Sequence, residues 1–287
     1  MSTAPDPSVS NFRKAKVRGV AFRYADQGRG DPVVFVHGMV SDHRVWNAQL
    51  RAVSAKARCI AFDQRYFGVD DWPKDGPQYS VATHADDLAS FVEEVVSCPA
   101  HIVGHSYGGG VALATAVVKP DWVKSLCLYE PAALPAVIRD PGDLATIATE
   151  RSEMAPVAEA VANRDLVTAV KQAAEWTEGI PGSFNSLPLE VQQAVLENAH
   201  TLNQHFSAPP SEITCADLGA VLAPVTLMWG AETRPFFAIF ANAIRQCLVN
   251  VEVVVLPGVG HFAPLQDPDL LARQVLAHLE RCGATAT

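Results

Sequence analysis

The chain has 287 residues, a net charge of −9, 49% hydrophobic and 18% charged side chains. That balance excludes a disordered chain, and with no dense basic patch it argues against nucleic acid or an anionic membrane surface as partner. Six cysteines (Cys59, Cys98, Cys127, Cys215, Cys247 and Cys282) are scattered without a C-x-x-C pair, which favours free thiols in a reducing, cytoplasmic setting over a disulfide framework. No apolar run reaches the roughly 20 residues needed to span a bilayer, and Met1–Ser10 lacks the charged start and apolar run of a secretory leader.

Residues 1–15 read as a flexible N-terminus, and Lys16–Asp26 as a strand or hairpin near a sheet edge. Val33–Val36 is a continuous apolar run of strand length, as expected of a parallel strand covered on both faces. A helix over Val45–Ala55, a buried strand over Cys59–Phe62, and an amphipathic helix over Thr83–Val96 follow. Ala100–Val103 and Val123–Tyr129 add two more strands, with a helix between them starting near Val111. Strands and helices alternating at this spacing predict an α/β fold: a mostly parallel, doubly wound sheet. In such sheets chemistry collects at the carboxyl ends of the strands, where His37, Asp63, Ser106 and Glu130 fall.

From 131 to 223 the pattern changes. Buried-strand runs stop and the stretch becomes Ala-rich and helical, with Asp165–Trp176 and Pro188–Phe206 as its strongest helices. Val195, Ala199, Leu202 and Phe206 share one face of the second. This segment reads as a helical lid inserted into a core made of 16–130 and 224–287. Strands resume at Val225–Trp229 and Val251–Leu256, with helices over Phe236–Cys247 and Pro268–Cys282.

Gly104-His-Ser-Tyr-Gly108 fits G-x-S-x-G, a strained strand-to-helix turn that exposes a serine oxygen. The glycines leave room for a tight turn that side chains would block. A phosphate cradle would want lysine and Ser/Thr after its last glycine, and Val111 and Ala112 stand there instead. Ser106 needs a base to take its proton, and His261, in the glycine-bordered loop after the last strand, follows it in the serine-acid-histidine order of such enzymes.

Taken with Val33-Val-Phe-Val-His-Gly38, Phe62-Asp-Gln-Arg-Tyr-Phe-Gly68 and Gly258-Val-Gly-His261, the elbow makes the chain resemble the α/β-hydrolase fold superfamily over about its whole length. The resemblance implies backbone N–H donors to an oxyanion hole at Met39 and Tyr107. It implies an acyl-serine route, because related haloalkane dehalogenases and epoxide hydrolases carry Asp where Ser106 stands. The acid departs from the common G-x-x-D pattern: Gly230-Ala-Glu-Thr233 places Thr233 at that position and Glu232 one residue early. Other relatives carry the acid after the strand that follows the elbow helix, where Glu130 stands, and Glu130 is favoured over Glu232.

His37 is expected to brace the oxyanion loop, and Tyr66, Phe67, Trp176 and Phe206 to line the pocket with it. His101 and His105 do not share a helix face and have no nearby carboxylate, so neither metal nor cofactor is expected. The expected activity is hydrolysis of a carboxylic ester or lactone of a small to medium hydrophobic substrate. A carbon–carbon bond hydrolase and a cofactor-free perhydrolase are the enzyme alternatives, and a small-molecule receptor with a retained triad is the alternative of another class. A homodimer stays open.

Overall fold

The computed structural model describes residues 12–73 and 75–284. Among these residues eight strands form one sheet in the order β1-β2-β4-β3-β5-β6-β7-β8. The strands β1 (Phe12–Val17) and β2 (Val20–Gln27) make an antiparallel hairpin, so residues 12–15 of the expected N-terminal extension are strand; residues 1–11 lie outside the described ones. Beyond β2, which pairs antiparallel with β4 (Arg58–Phe62), all neighbours are parallel: β3 (Pro32–Val36), β5 (Ala100–His105), β6 (Val123–Tyr129), β7 (Val225–Gly230) and β8 (Val251–Leu256). Every residue of β3 is buried, as its unbroken apolar run requires for a strand covered on both faces.

Helices cover both faces. The helices α1 (Asn47–Val53), α2 (Val81–Phe91) and α3 (Tyr107–Val118) lie between successive strands. Ser80 caps α2, its hydroxyl accepting from the Thr83 N–H. One apolar core packs Phe22, Ile60, Phe91, Ile102 and Leu113 on one side of the sheet; the other packs Phe35, Trp46, Val103, Cys127 and Leu271.

Between β6 and β7 the chain is helical: α4 (Pro141–Ser152), α5 (Ala155–Ala162), α6 (Leu166–Glu178), α7 (Ser183–Ser186), α8 (Leu189–Glu197), α9 (Thr201–Ser207) and α10 (Cys215–Gly219). A third apolar cluster, with Val157, Val170 and Leu202, joins these helices to Val40 above the sheet. The single helix expected over 188–206 is broken instead. Asn198 takes a capping place between α8 and α9, its side chain accepting from the Gly68 N–H (2.6 Å) and donating to Asp42 (2.9 Å). After β7 come α11 (Pro235–Cys247), α12 (Ala263–Gln266) and α13 (Pro268–Arg281).

The expectation of free thiols fails at one pair. Cys215 in α10 and Cys247 in α11 form a disulfide, with Cα atoms 4.9 Å apart, inside the range a disulfide needs. Cys59, Cys98, Cys127 and Cys282 are free. Among the described residues no helix is long and apolar enough to cross a membrane.

Candidate active site

Ser106 sits between β5 and α3 with φ 54° and ψ −122°, a backbone conformation that costs a non-glycine residue on the order of 1–3 kcal/mol. The surroundings hold it there. The Ser106 N–H donates to the Tyr129 carbonyl (3.0 Å), and the Ser106 carbonyl accepts from Ala132 and Gly109 at 3.0 Å each. A Cβ at Gly104 would lie 2.8 Å from the Gly109 Cα, and one at Gly108 would lie 2.3 Å from the His37 carbonyl oxygen. The elbow pattern is therefore a packing requirement: α3 can only approach β3 and β5 this closely through glycine.

His261 is buried in the loop after β8, and its Nδ1 lies 2.6 Å from Glu130 Oε2. Glu130, fully buried just past β6, also accepts from the Gly230 N–H and the Thr233 hydroxyl, each at 2.8 Å. Burial pushes the Glu130 carboxyl up to about 7 against the pull of these donors, and it pushes the His261 imidazole down to about 3. With Nδ1–H committed to Glu130, the Nε2 of a neutral His261 is the ring's proton acceptor. Glu232, the alternative acid, is exposed. Thr233, which stands at the last position of the G-x-x-D pattern, hydrogen-bonds the Glu130 carboxylate just past β6.

The ring of His261 stacks on Phe237 of α11, with centroids 3.7 Å apart. Its loop is held from three sides: the His105 Nε2 lies 2.9 Å from the His261 carbonyl, the Tyr129 hydroxyl donates to the Gly260 carbonyl (2.5 Å), and Glu178 at the end of α6 accepts from the Phe262 N–H (2.6 Å) and from Gln266 (2.5 Å). Burial raises the Glu178 carboxyl, with the Glu130 charge adding to the same direction.

Ser106 and His261 open onto a cavity of about 660 Å³ between the sheet's carboxyl edge and the helical segment, within the size range of small-molecule sites. Met39 and Tyr107 contribute to its wall, as do Trp176 and Phe206. Three residues expected in the pocket do not line it. His37 is fully buried beneath the Gly38–Met39 turn; its Nε2 accepts from the Gln64 N–H (3.1 Å), which leaves Nδ1–H to donate to the Gly38 carbonyl (2.8 Å). It braces the loop and does not touch the cavity. Tyr66 faces a separate surface cleft beside Trp72, and Phe67 is buried in the core against His37. The pattern that marked these aromatics after β4 fixed their place in the chain, but not the turn of the backbone at Tyr66 (φ 73°).

Glu178, which holds the His261 loop, and Phe237 and Arg151 of the cavity wall carried no motif and were not anticipated. Thr233 was visible only as a departure from the acid's usual place. Among the described residues two side-chain groups bring metal-ligating atoms within 4.8 Å of one another, His101 with His278 and Cys282, and Asp42 with His43 and Asp63. Neither touches the cavity. Ser125 already bridges His101 (2.6 Å) and His278 (2.7 Å), and Arg44 binds Asp42 (2.6 Å).

Comparison with known proteins agrees with this architecture. A stretch of 128 residues is 30% identical to the 2-(acetamidomethylene)succinate hydrolase of Mesorhizobium japonicum, covering 44% of this chain and 45% of the relative. A stretch of 134 residues is 30% identical to the 2-hydroxymuconate semialdehyde hydrolase of Pseudomonas sp. strain CF600, covering 46% and 47%. These matches span less than half the length of each relative. Among solved structures, an esterase from Thermogutta terrifontis superposes with a TM-score of 0.70 at 22% identity, over 95% of this chain and 99% of its own. A family model described as alpha/beta hydrolase family matches residues 33–274, and the chain belongs to that family.

Proposed function

We propose that the protein is a serine hydrolase that cleaves a carboxylic ester or lactone through an acyl-Ser106 intermediate. The observation that carries this reading is the 2.6 Å bond between His261 Nδ1 and Glu130, made at the cavity into which a strained Ser106 faces. His261 Nε2 takes the Ser106 proton as Oγ attacks the substrate carbonyl, and Glu130 stabilises the imidazolium that forms. The backbone N–H groups of Met39 and Tyr107, the latter opening α3, meet the charge on the carbonyl oxygen; one such donor is worth roughly 3–4 kcal/mol of barrier. The imidazolium returns its proton to the leaving alkoxide. Water then attacks the acyl enzyme by the same steps in reverse.

A carboxylate tied to histidine beside an oxygen nucleophile suits acyl transfer, and the apolar wall suits a substrate with a hydrophobic body. The runner-up is carbon–carbon bond hydrolysis, favoured by the similarity to the semialdehyde hydrolase. A cytoplasmic setting is proposed on the free thiols of Cys59, Cys98, Cys127 and Cys282 alone, since the 215–247 bridge opposes it. The test is hydrolysis of 4-nitrophenyl acetate and butyrate by the wild type and by Ser106→Ala. The expected loss in the variant is at least 10³-fold in kcat. Equal rates in the two proteins refute the reading and leave the receptor alternative.

A further inference from the structure

We propose that Arg151 selects anionic substrates: the preferred ester or lactone carries a carboxylate remote from the bond that is cleaved. This rests on the serine-hydrolase reading above. Arg151 stands near the end of α4 and forms part of the cavity wall, where among the described residues it is the single lining Arg or Lys and no Asp or Glu lines the wall with it. Its acidic neighbours along the helix are engaged elsewhere. Glu150 accepts from Arg234 Nε at 2.8 Å, and Glu153 accepts from the same guanidinium. No hydrogen bond or ion pair occupies the Arg151 guanidinium among the described residues.

The neighbouring wall leads from this cation toward the serine. His205 lines the cavity, and its ring lies 5.7 Å from that of Tyr107, the residue that follows Ser106. Burial and then the Arg151 charge hold the His205 imidazole low, at about 4, so it is neutral at ordinary pH and adds no second cation. The result is an apolar chamber with a reacting serine and one uncompensated guanidinium. A guanidinium presents paired N–H donors that match a carboxylate's two oxygens. The net charge of −9 repels anions at long range, so an acidic substrate needs such a local partner to be held. Because Arg151 is exposed, the gain is screened by salt.

The readout is the ratio of kcat/KM for an anionic ester to that for its neutral counterpart. Mono(4-nitrophenyl) adipate against 4-nitrophenyl hexanoate places the carboxylate on the acyl side, and 4-acetoxybenzoate against 4-tolyl acetate places it on the alcohol side. In at least one pair, Arg151→Met is expected to lower the ratio about tenfold at 50 mM NaCl, Arg151→Lys less, and the wild-type ratio to shrink at 500 mM NaCl. A ratio unmoved by Arg151→Met in both pairs overturns the proposal and leaves the hydrolase reading standing. If none of the four esters is turned over, the hydrolase reading is what fails. Calorimetric titration of Ser106→Ala with mono(4-nitrophenyl) adipate and with 4-acetoxybenzoate then decides the role of Arg151. Binding weakened about tenfold by added Arg151→Met supports it; equal or absent binding overturns it.

Discussion

At Glu130 the backbone enters the left-handed region, with φ 46°, and the side chain receives Gly230, Thr233 and His261. A buried carboxylate with that many donors is held in one orientation, which is what keeps an imidazole in a single tautomer. Glu130→Gln keeps the shape and removes the charge, so kcat should fall on the order of 10⁴ while Glu232→Gln stays near wild type. Thr233→Ala removes one hydrogen bond to the ionised carboxylate and should lower kcat about tenfold or more. Both are read from steady-state ester hydrolysis. The pH dependence follows from the pair titrating as a unit. Burial raises Glu130 to about 7, so the pair gains its proton as pH falls through that region, and the active form, with ionised Glu130 and neutral His261, prevails above it. The profile of kcat/KM should therefore have an acid limb centred near 7. In Glu130→Gln the residual activity depends on His261 alone, which burial holds low, and its limb should move to lower pH; an unmoved limb contradicts the assignment. The placing of Ser106, Glu130 and His261 at strand ends was legible because the strands before them are largely apolar in sequence. That Thr233 would donate to Glu130 was not, since 103 residues separate them and only the sheet order brings the ends of β6 and β7 together.

Among the elements, α6 links the helical segment to the chemistry. Its last residue, Glu178, grips the His261 loop through Phe262 and Gln266, and a Cβ at Gly260 would lie 3.0 Å from its Oε2. Glycine at 260 thus lets the carboxylate come close. Glu178→Gln keeps the volume but removes an acceptor and a buried charge beside Glu130. We expect kcat to fall about tenfold with a smaller change in KM, as in the loss of an aligning contact. The acid limb should also move to lower pH, because each of two neighbouring carboxylates raises the other. A lower melting temperature with kcat and pH profile unchanged would reduce Glu178 to a structural latch. Nothing in the 166–178 periodicity marks this role, for a carboxylate at a helix end ordinarily faces water. The break between α8 and α9 was hidden in the same way. The apolar spacing of Val195, Ala199 and Leu202 continues through it, while the side chain that ends α8, Asn198, is fixed by Gly68 and Asp42 far away in sequence. Periodicity reports which face is buried, and tertiary hydrogen bonds decide where a helix stops.

Across the whole molecule, the central parallel strands were readable because a strand buried on both faces is apolar along most of its length. A crosslink between helices leaves no such trace. Cys215 and Cys247 are 32 residues apart in sequence, and they meet because α10 folds back beside α11 where the helical segment rejoins the sheet. The bridge spans that junction, so its effect belongs to the stability of the whole fold. Closing a loop of this length restricts the unfolded chain by roughly 3–4 kcal/mol, which for a chain of this size amounts to on the order of 5 °C in melting temperature. Differential scanning calorimetry of the wild type with and without reductant, beside Cys247→Ser without it, measures the effect. Reduced wild type and the variant should melt at similar temperatures below the oxidised protein, and alkylation in denaturant before mass analysis should label four thiols in the oxidised protein and six in the reduced one. Because the bridge lies outside the cavity wall, ester hydrolysis well below the melting temperature should change little on reduction. A large loss of activity without unfolding would instead place the junction of α10 and α11 in control of the cavity, and the bridge would be coupled to the site rather than to the fold alone.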